Sequence, residues 1–192
     1  MSTGYRALTW RIRRMDEVES TMDEAAELAR DLAPSGTVVS ASYQSNGRGR
    51  NGHTWLAPAG TCLLATAVFR PDISILDDKA LSRKIGERVR EAIAEVTGLW
   101  VTVKEPNDLL YEGRKLCGIL CQTSVRGKDL EYLLVGIGIN VNVPADQLPF
   151  ESATSLLVET GREVDLHRLL VSVLGHVAEI PGLAEEPEPD KH

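Results

Sequence analysis

Met22, Ala25, Ala26 and Ala29 recur at helical spacing and share one face. Thr21 and Glu24 stand three apart at the start of that stretch, so the pattern predicts a helix opened by a capping box and broken by Pro34-Ser35-Gly36. Thr37–Tyr43 and Thr61–Phe69 read as strands, separated by a glycine-rich loop and a turn at Pro58–Gly60. From about Asp78 to Thr97, Leu81, Ile85, Val89, Ala92, Ile93 and Val96 mark a long helix closed by Gly98. Trp100–Lys104 is a strand ended by Pro106. Leu109–Tyr111 and Lys115–Val125 form a hairpin about Glu112-Gly113-Arg114, and a turn at Arg126–Asp129 leads into Leu130–Val143. A last helix spans about Asp165–Ile180, with Leu166, Leu169, Leu170, Val173, Leu174 and Val177 as its core face.

Helices alternating with hairpins predict an α+β fold: a mixed, largely antiparallel β-sheet flanked by helices, with the helices expected on one side. Residues 1–180 read as a single domain. Residues 181–192, which include the acidic, proline-rich EEPEPDKH, read as a disordered tail. Leu130–Val143 is read as an edge strand able to pair across a homodimer.

The 192 residues, 43% hydrophobic and 26% charged, suit one globular domain with a real core. The net charge of −7 argues against generic nucleic-acid binding. Met1–Arg14 is basic without an apolar segment, so it is not a secretory signal, and no apolar run approaches a membrane span. Cys62, Cys117 and Cys121 form no CxxC pair and read as buried cytosolic thiols, which predicts a cytoplasmic protein.

Charge is unevenly spread. The 40 residues from 32 to 71 contain no carboxylate, although the chain holds 28; about six would be expected at average density. The same interval holds Arg48, Arg50, Arg70 and His53. Buried strands exclude charge and explain part of this. They do not explain Gly47-Arg48-Gly49-Arg50-Asn51-Gly52, a loop in which glycines at positive φ could turn successive N–H groups toward one anion and arginines could add planar forks. Solvated arginines on a flexible hairpin are the plainer reading of this loop alone. No Gly-Lys-Ser/Thr ends it and no helix follows it, so it is neither a Walker loop nor a Rossmann turn.

Three further segments carry chemistry. In KEPNDLL, Pro106 forces a turn that presents Asn107 and Asp108 at a strand end; alternation allows at most one of Lys104 and Glu105 to face a ligand. In GRKLCGIL, alternation puts Lys115, Cys117, Ile119 and Cys121 on one otherwise apolar face, and Gly118 permits close backbone approach. In VGIGINVN, Gly136 and Gly138 share a face with Asn140 and leave room for a flat ligand, or for a packed helix.

Taken in order, Ser20-Thr21, GRGRNGHTW, KEPND, KLCGIL and GIGIN resemble the catalytic domain of biotin protein ligases, over about Glu19 to His176. Three positions depart from the family pattern: Glu105 stands for the usual tryptophan, His53 for a third loop arginine, and Met22 for a common asparagine. The short lead before the first helix implies no N-terminal DNA-binding domain and hence no nucleic-acid partner. The end soon after the last helix implies that the family's small C-terminal β domain is absent.

The resemblance implies ATP-dependent ligation of biotin to a lysine of the biotin carboxyl carrier protein of a carboxylase, through biotinyl-5′-AMP. ATP and Mg²⁺ are the implied cofactors, with Mg²⁺ carried on the phosphates and no protein metal site; no membrane partner is implied. Lys115, Arg48, Arg50 and Asp108 are the implied catalytic residues. Ser20, Thr21, Gln44, Gly47 and Gly118 join Arg48, Arg50 and Lys115 around biotin. His53, Trp55, Asn107 and Asn140 join Arg50 and Lys115 around ATP and the adenylate. Two other readings stand beside this one: a lipoate or octanoate transferase of the same fold, and a non-catalytic ligand- or carrier-binding protein.

Overall fold

A computed structural model describes residues 8–184. Its elements are β1 (Arg11–Val18), α1 (Thr21–Arg30), β2 (Thr37–Gln44), β3 (Cys62–Phe69), α2 (Leu81–Thr97), β4 (Thr102–Lys104), β5 (Asp108–Tyr111), β6 (Arg114–Arg126), β7 (Asp129–Asn140), α3 (Leu156–Thr160) and α4 (Leu166–Ala178). The strands form one seven-stranded sheet in the order β1-β2-β3-β7-β6-β5-β4. β1 runs parallel to β2 and every other pair is antiparallel, so the sheet is mixed and largely antiparallel, as expected.

The helices do not share one side. β3 is buried along its whole length, and its alternate residues face two different cores. Leu63, Ala65, Ala67 and Phe69 pack with α2 and α4, while Val68 packs with Met22, Ala25, Ala26 and Ala29 of α1. A strand buried on both faces reads as a continuous apolar run and hides the second layer. On the α2/α4 side, Ile85, Val89, Ile93, Leu169, Val173 and Val177 are fully buried; each large aliphatic side chain contributes about 1.5–3 kcal/mol by leaving water.

Local signals explain most element ends. Gly98 caps α2 in the left-handed conformation at φ 78°, and the Asp165 carboxylate accepts the N–H groups of His167 and Arg168 to open α4. α1 opens differently from expectation. Ser20, not Thr21, is its N-cap and accepts the Met22 N–H, so Thr21 and Glu24 form no capping box; the Thr21 hydroxyl turns into a cavity instead.

Four other expectations change. β1 was not foreseen, because RIRRMDEV is mostly exposed and lacks an apolar alternation. Leu130–Val143 is not an edge: β7 lies between β3 and β6. Leu183, inside the segment read as tail, is fully buried in the core, while 185–192 lies outside the described residues. Arg70 is part of no anion site. Its guanidinium donates to the carbonyls of Ala29, Ala33 and Glu131 and ties the end of α1 to the sheet. No helix among the described residues is long and apolar enough to cross a membrane.

Candidate active site

A cavity of about 400 Å³ opens between the start of α1, the 44–55 loop, the β4–β5 turn and the facing strands β6 and β7. Of the residues singled out in the sequence, Ser20, Thr21, Gln44, Arg48, Arg50 and His53 line it from one side, and Trp55, Asn107, Asp108, Lys115 and Gly118 from the other. Gly47 and Asn140 do not line it.

The buried end is polar. Gln44 Oε1 accepts from the Thr21 N–H at 2.7 Å and from the Thr21 hydroxyl at 2.9 Å. The Thr21 hydroxyl also meets the Thr66 hydroxyl at 2.9 Å. Since Oε1 faces two donors, the Gln44 amide nitrogen is directed away as a free donor. Thr66 was missed from sequence. Its signal was available as the one hydroxyl within CLLATAVF, where an apolar strand gains nothing from it.

The exposed end is cationic, and three of its cations are already engaged. Lys115 Nζ lies 2.8 Å from Asp108 Oδ1, Arg48 Nη2 lies 2.8 Å from Asp23 Oδ1, and Arg50 Nη1 donates to Asn107 Oδ1 at 3.4 Å. The carboxylate-free interval therefore does not keep carboxylates away in space, because α1 supplies Asp23. Asn107 Nδ2 in turn donates to the Ile119 carbonyl, which fixes the turn against β6.

Lys115 reaches the cavity through a β-bulge. The pairing of β5 with β6 skips Leu116, which sends Lys115 to the same face as Gly118, while Leu116, Cys117, Ile119 and Cys121 pack in or against the α2/α4 core. Lys115 thus does not share a face with Cys117, Ile119 and Cys121, because simple alternation ignores the extra residue. The 152–154 segment holds the lysine backbone on both sides: its N–H donates to the Ser152 carbonyl at 2.7 Å and its carbonyl accepts from Thr154 at 2.8 Å. Burial pushes the Cys117 thiol far up, with Asp108 adding to the effect. Burial likewise raises Cys62 and Cys121 to about 11 each, so none of the three thiols is poised as a nucleophile.

The loop glycines serve close approach rather than an anion nest. A Cβ at Gly47 would lie 2.6 Å from the Trp55 carbonyl oxygen, and one at Gly49 would lie 3.0 Å from that of His53. The Gly49 and Trp55 N–H groups are spent on His53 and Gly47, which pinches the loop into a small hairpin with Asn51 and Gly52 at positive φ. Gly136 and Gly138 are not empty: Met22 Sδ lies 2.7 Å from a Cβ built on Gly136, and the Trp55 indole lies 2.8 Å from one on Gly138. Asn140 is buried beyond this indole, donating to the Thr154 carbonyl and accepting from the Cys62 thiol. Lys104 and Glu105 both line the cavity, since strand alternation stops at Lys104 and Glu105 lies in the turn. The Glu105 side chain is 71% exposed, 3.7 Å from Arg83 Nε.

Fold and site thus define an α+β domain with a cavity of graded polarity: hydroxyls and an amide at the buried end, lysine and arginine at the open one. Residues 15–140 match the Biotin/lipoate A/B protein ligase family, and the chain belongs to that family. It is 34% identical over 162 residues to the bifunctional ligase/repressor BirA of Bacillus spizizenii, covering 83% of this chain and 50% of that protein. It is 35% identical over 158 residues to the biotin--[acetyl-CoA-carboxylase] ligase of Paracoccus denitrificans, covering 79% and 65%. The chain therefore spans half to two thirds of the length of these relatives. Among solved structures, it is similar to the biotin protein ligase of Aquifex aeolicus in complex with biotin and ATP, at a TM-score of 0.70 and 30% identity over 88% of this chain and 68% of that one. The biotin protein ligase of Leishmania major in complex with biotinyl-5-AMP gives 0.72 and 26% over 88% and 74%.

Proposed function

We propose that this domain activates biotin with ATP and transfers it to a lysine of a biotin carboxyl carrier protein. One observation carries the reading: Lys115 Nζ enters a cavity whose polarity runs from buried hydroxyls to exposed cations. Biotin has the matching polarity, with a ureido ring at one end, an apolar middle and a carboxylate at the other. The Gln44 amide nitrogen would donate to the ureido carbonyl, and Ser20, Thr21 and Thr66 lie beside it. Met22, Leu64 and Leu120 would line the apolar middle. The related proteins named for biotin, two of them solved with biotin and ATP or with the adenylate, support the same choice.

The chemical obstacle is electrostatic, because a carboxylate must approach a polyphosphate. Lys115, Arg48 and Arg50 would supply fixed positive charge to both. Biotin carboxylate attacks the α-phosphorus, an anhydride bond forms, and pyrophosphate leaves; no covalent enzyme intermediate is needed. When an anion takes Lys115, Asp108 is released from its pair. It can then accept a proton from the incoming carrier lysine, whose amine attacks the anhydride and displaces AMP. Mg²⁺ would arrive on the ATP phosphates; no group of three or more His, Cys, Asp or Glu among the described residues could hold a metal ion. The reaction would take place in the cytosol.

A lipoate or octanoate chain would leave the Gln44 amide nitrogen without a partner at the buried end, which weighs against the transferase reading. Glu105, one of the departures from the family pattern that would favour a non-catalytic protein, has its carboxylate turned toward Arg83. Thermal unfolding tests the proposal. Biotin plus Mg-ATP should raise the melting temperature well beyond either alone, because a retained adenylate stabilises by mass action. An equal rise with lipoate in place of biotin, or no rise with either pair, contradicts it.

A further inference from the structure

Lys115 stands where β6 is least regular. The pairing with β5 slips at Leu109/Leu110, and β7 pairs with β6 only from Cys117 onward. The N–H and the carbonyl of Lys115 are both bonded to 152–154, a segment outside the named strands that meets Lys115 through an isolated bridge at Ala153. Where Lys115 Nζ stands in the cavity therefore depends on what holds that segment.

The holder is Glu159 of α3. Its side chain is only 8% exposed, and its Oε1 lies 2.8 Å from Arg114 Nη2 and accepts the Thr154 hydroxyl. Arg114 precedes Lys115 in β6, and the fully buried Thr154 donates its N–H to the Lys115 carbonyl. These contacts close a ring: Lys115 to Thr154, Thr154 to Glu159, Glu159 to Arg114, and Arg114 back to Lys115 along the chain. α3 is itself fixed to the chain beyond β7. The Ser155 hydroxyl donates to the Val143 carbonyl at 2.6 Å, and the Leu157 N–H to the Val141 carbonyl at 2.8 Å. Asn140 Nδ2 adds a bond to the Thr154 carbonyl.

Stability alone is a poor reason for this carboxylate. Taking a charge out of water is costly, and an apolar side chain of similar volume covers a core as well or better. A charged acceptor shared by two donors does fix direction, because charge-assisted bonds are shorter and stronger than neutral ones. Direction matters beside Lys115, since misplacing a catalytic group by about 1 Å can lower a rate on the order of 100-fold. Glu159 does not line the cavity, so it reaches the chemistry only through Lys115.

We propose that Glu159 is a positioning residue: through Thr154 and Arg114 it fixes the backbone that carries Lys115, and thereby the place of Lys115 Nζ. Its service to adenylation rests on the ligase reading of Lys115; the positioning itself does not.

The test uses Glu159→Ala and Glu159→Gln in the full chain. The glutamine keeps an oxygen for the Thr154 hydroxyl but loses the charge opposite Arg114, so its effects should fall between those of alanine and the unaltered chain. The first readout is amide hydrogen exchange by NMR, which needs no substrate. In Glu159→Ala the Lys115 and Thr154 amides should speed up about tenfold more than that of Ile137, which is paired on both sides within the sheet. The second readout is biotin-dependent pyrophosphate exchange. Its kcat should fall about tenfold in Glu159→Ala while KM for biotin stays within about twofold, because the Gln44 end is untouched. Equal acceleration of all three amides would mark a general stabilising role and overturn the proposal, as would an unchanged kcat or a raised KM at unchanged kcat. If Glu159→Ala does not fold, Glu159→Gln decides, and its matching the unaltered chain in both readouts overturns the proposal. An unaltered chain without pyrophosphate exchange would sink the ligase reading, and the amide rates would still decide this one.

Discussion

Lys115 Nζ lies 2.8 Å from Asp108 Oδ1, with side chains only 29% and 24% exposed, in a cavity that otherwise gathers arginine and hydroxyl groups. Lys115 is thus held by a carboxylate until an anion displaces it. The two members of the pair should fail differently. Lys115→Ala should lower biotin-dependent pyrophosphate exchange by about 100–1000-fold, the usual cost of removing a preorganised charge donor. Asp108→Asn should spare exchange more than it spares transfer to a carrier lysine, which should fall roughly 100-fold. Single-turnover measurement of the two half-reactions separates them. Equal losses in both halves for Asp108→Asn would remove its assigned role.

The Trp55 indole rests on Gly118 and Gly138, where added Cβ atoms would stand 2.9 Å and 2.8 Å from the ring. Gly138→Val should push the ring away, cost about 1–3 kcal/mol by overpacking, and change tryptophan emission. Gly175 in α4 faces open space, so Gly175→Ala should leave emission unchanged and add about 1 kcal/mol through helix propensity. Denaturant melts with emission spectra check both; a neutral Gly138→Val would mean that Trp55 is not seated as described.

Glu105 departs from the family pattern at the cavity rim yet points to Arg83. An exposed pair of this kind contributes roughly 0–1 kcal/mol. Glu105→Ala should therefore leave exchange within about twofold, as surface changes do. A large gain in activity would show that its charge opposes the phosphates.

The thiols offer a pH test. Cys62 and Cys121 are raised from 9.0 to about 11 by burial. A folded pKa above the unfolded one stabilises fully below pH 9 and is lost as pH climbs toward 11, because the unfolded thiols ionise first. Stability should fall across that window. At pH 8, native alkylation should run roughly 100-fold slower than in urea, following the thiolate fraction. Comparable rates in the two states would mean the thiols are accessible.

Much of the fold was legible because helices α1, α2 and α4 carry a clean apolar stripe and end at Gly98 or begin at Asp165. β1 was not, since an exposed edge strand needs no apolar pattern. The second helical layer was hidden because β3 is apolar on both faces. Most of the site was legible as residue types at motif spacing, yet its geometry was not: the bulge at Leu116 reverses the face of Lys115, and Asp23 reaches Arg48 from another element. Thr66 and the seating of Trp55 on Gly138 depend on which strands lie side by side, and periodicity along one strand does not carry that.

Exchange of labelled pyrophosphate into ATP bears most directly on the central proposal, because it reads adenylation without any carrier protein. With the unaltered chain, Mg-ATP and biotin, exchange should be rapid. It should fall to background when biotin is omitted or replaced by lipoate, and in Lys115→Ala. Exchange that ignores biotin, or its complete absence in a folded chain, would contradict the assignment of this cavity to biotin activation.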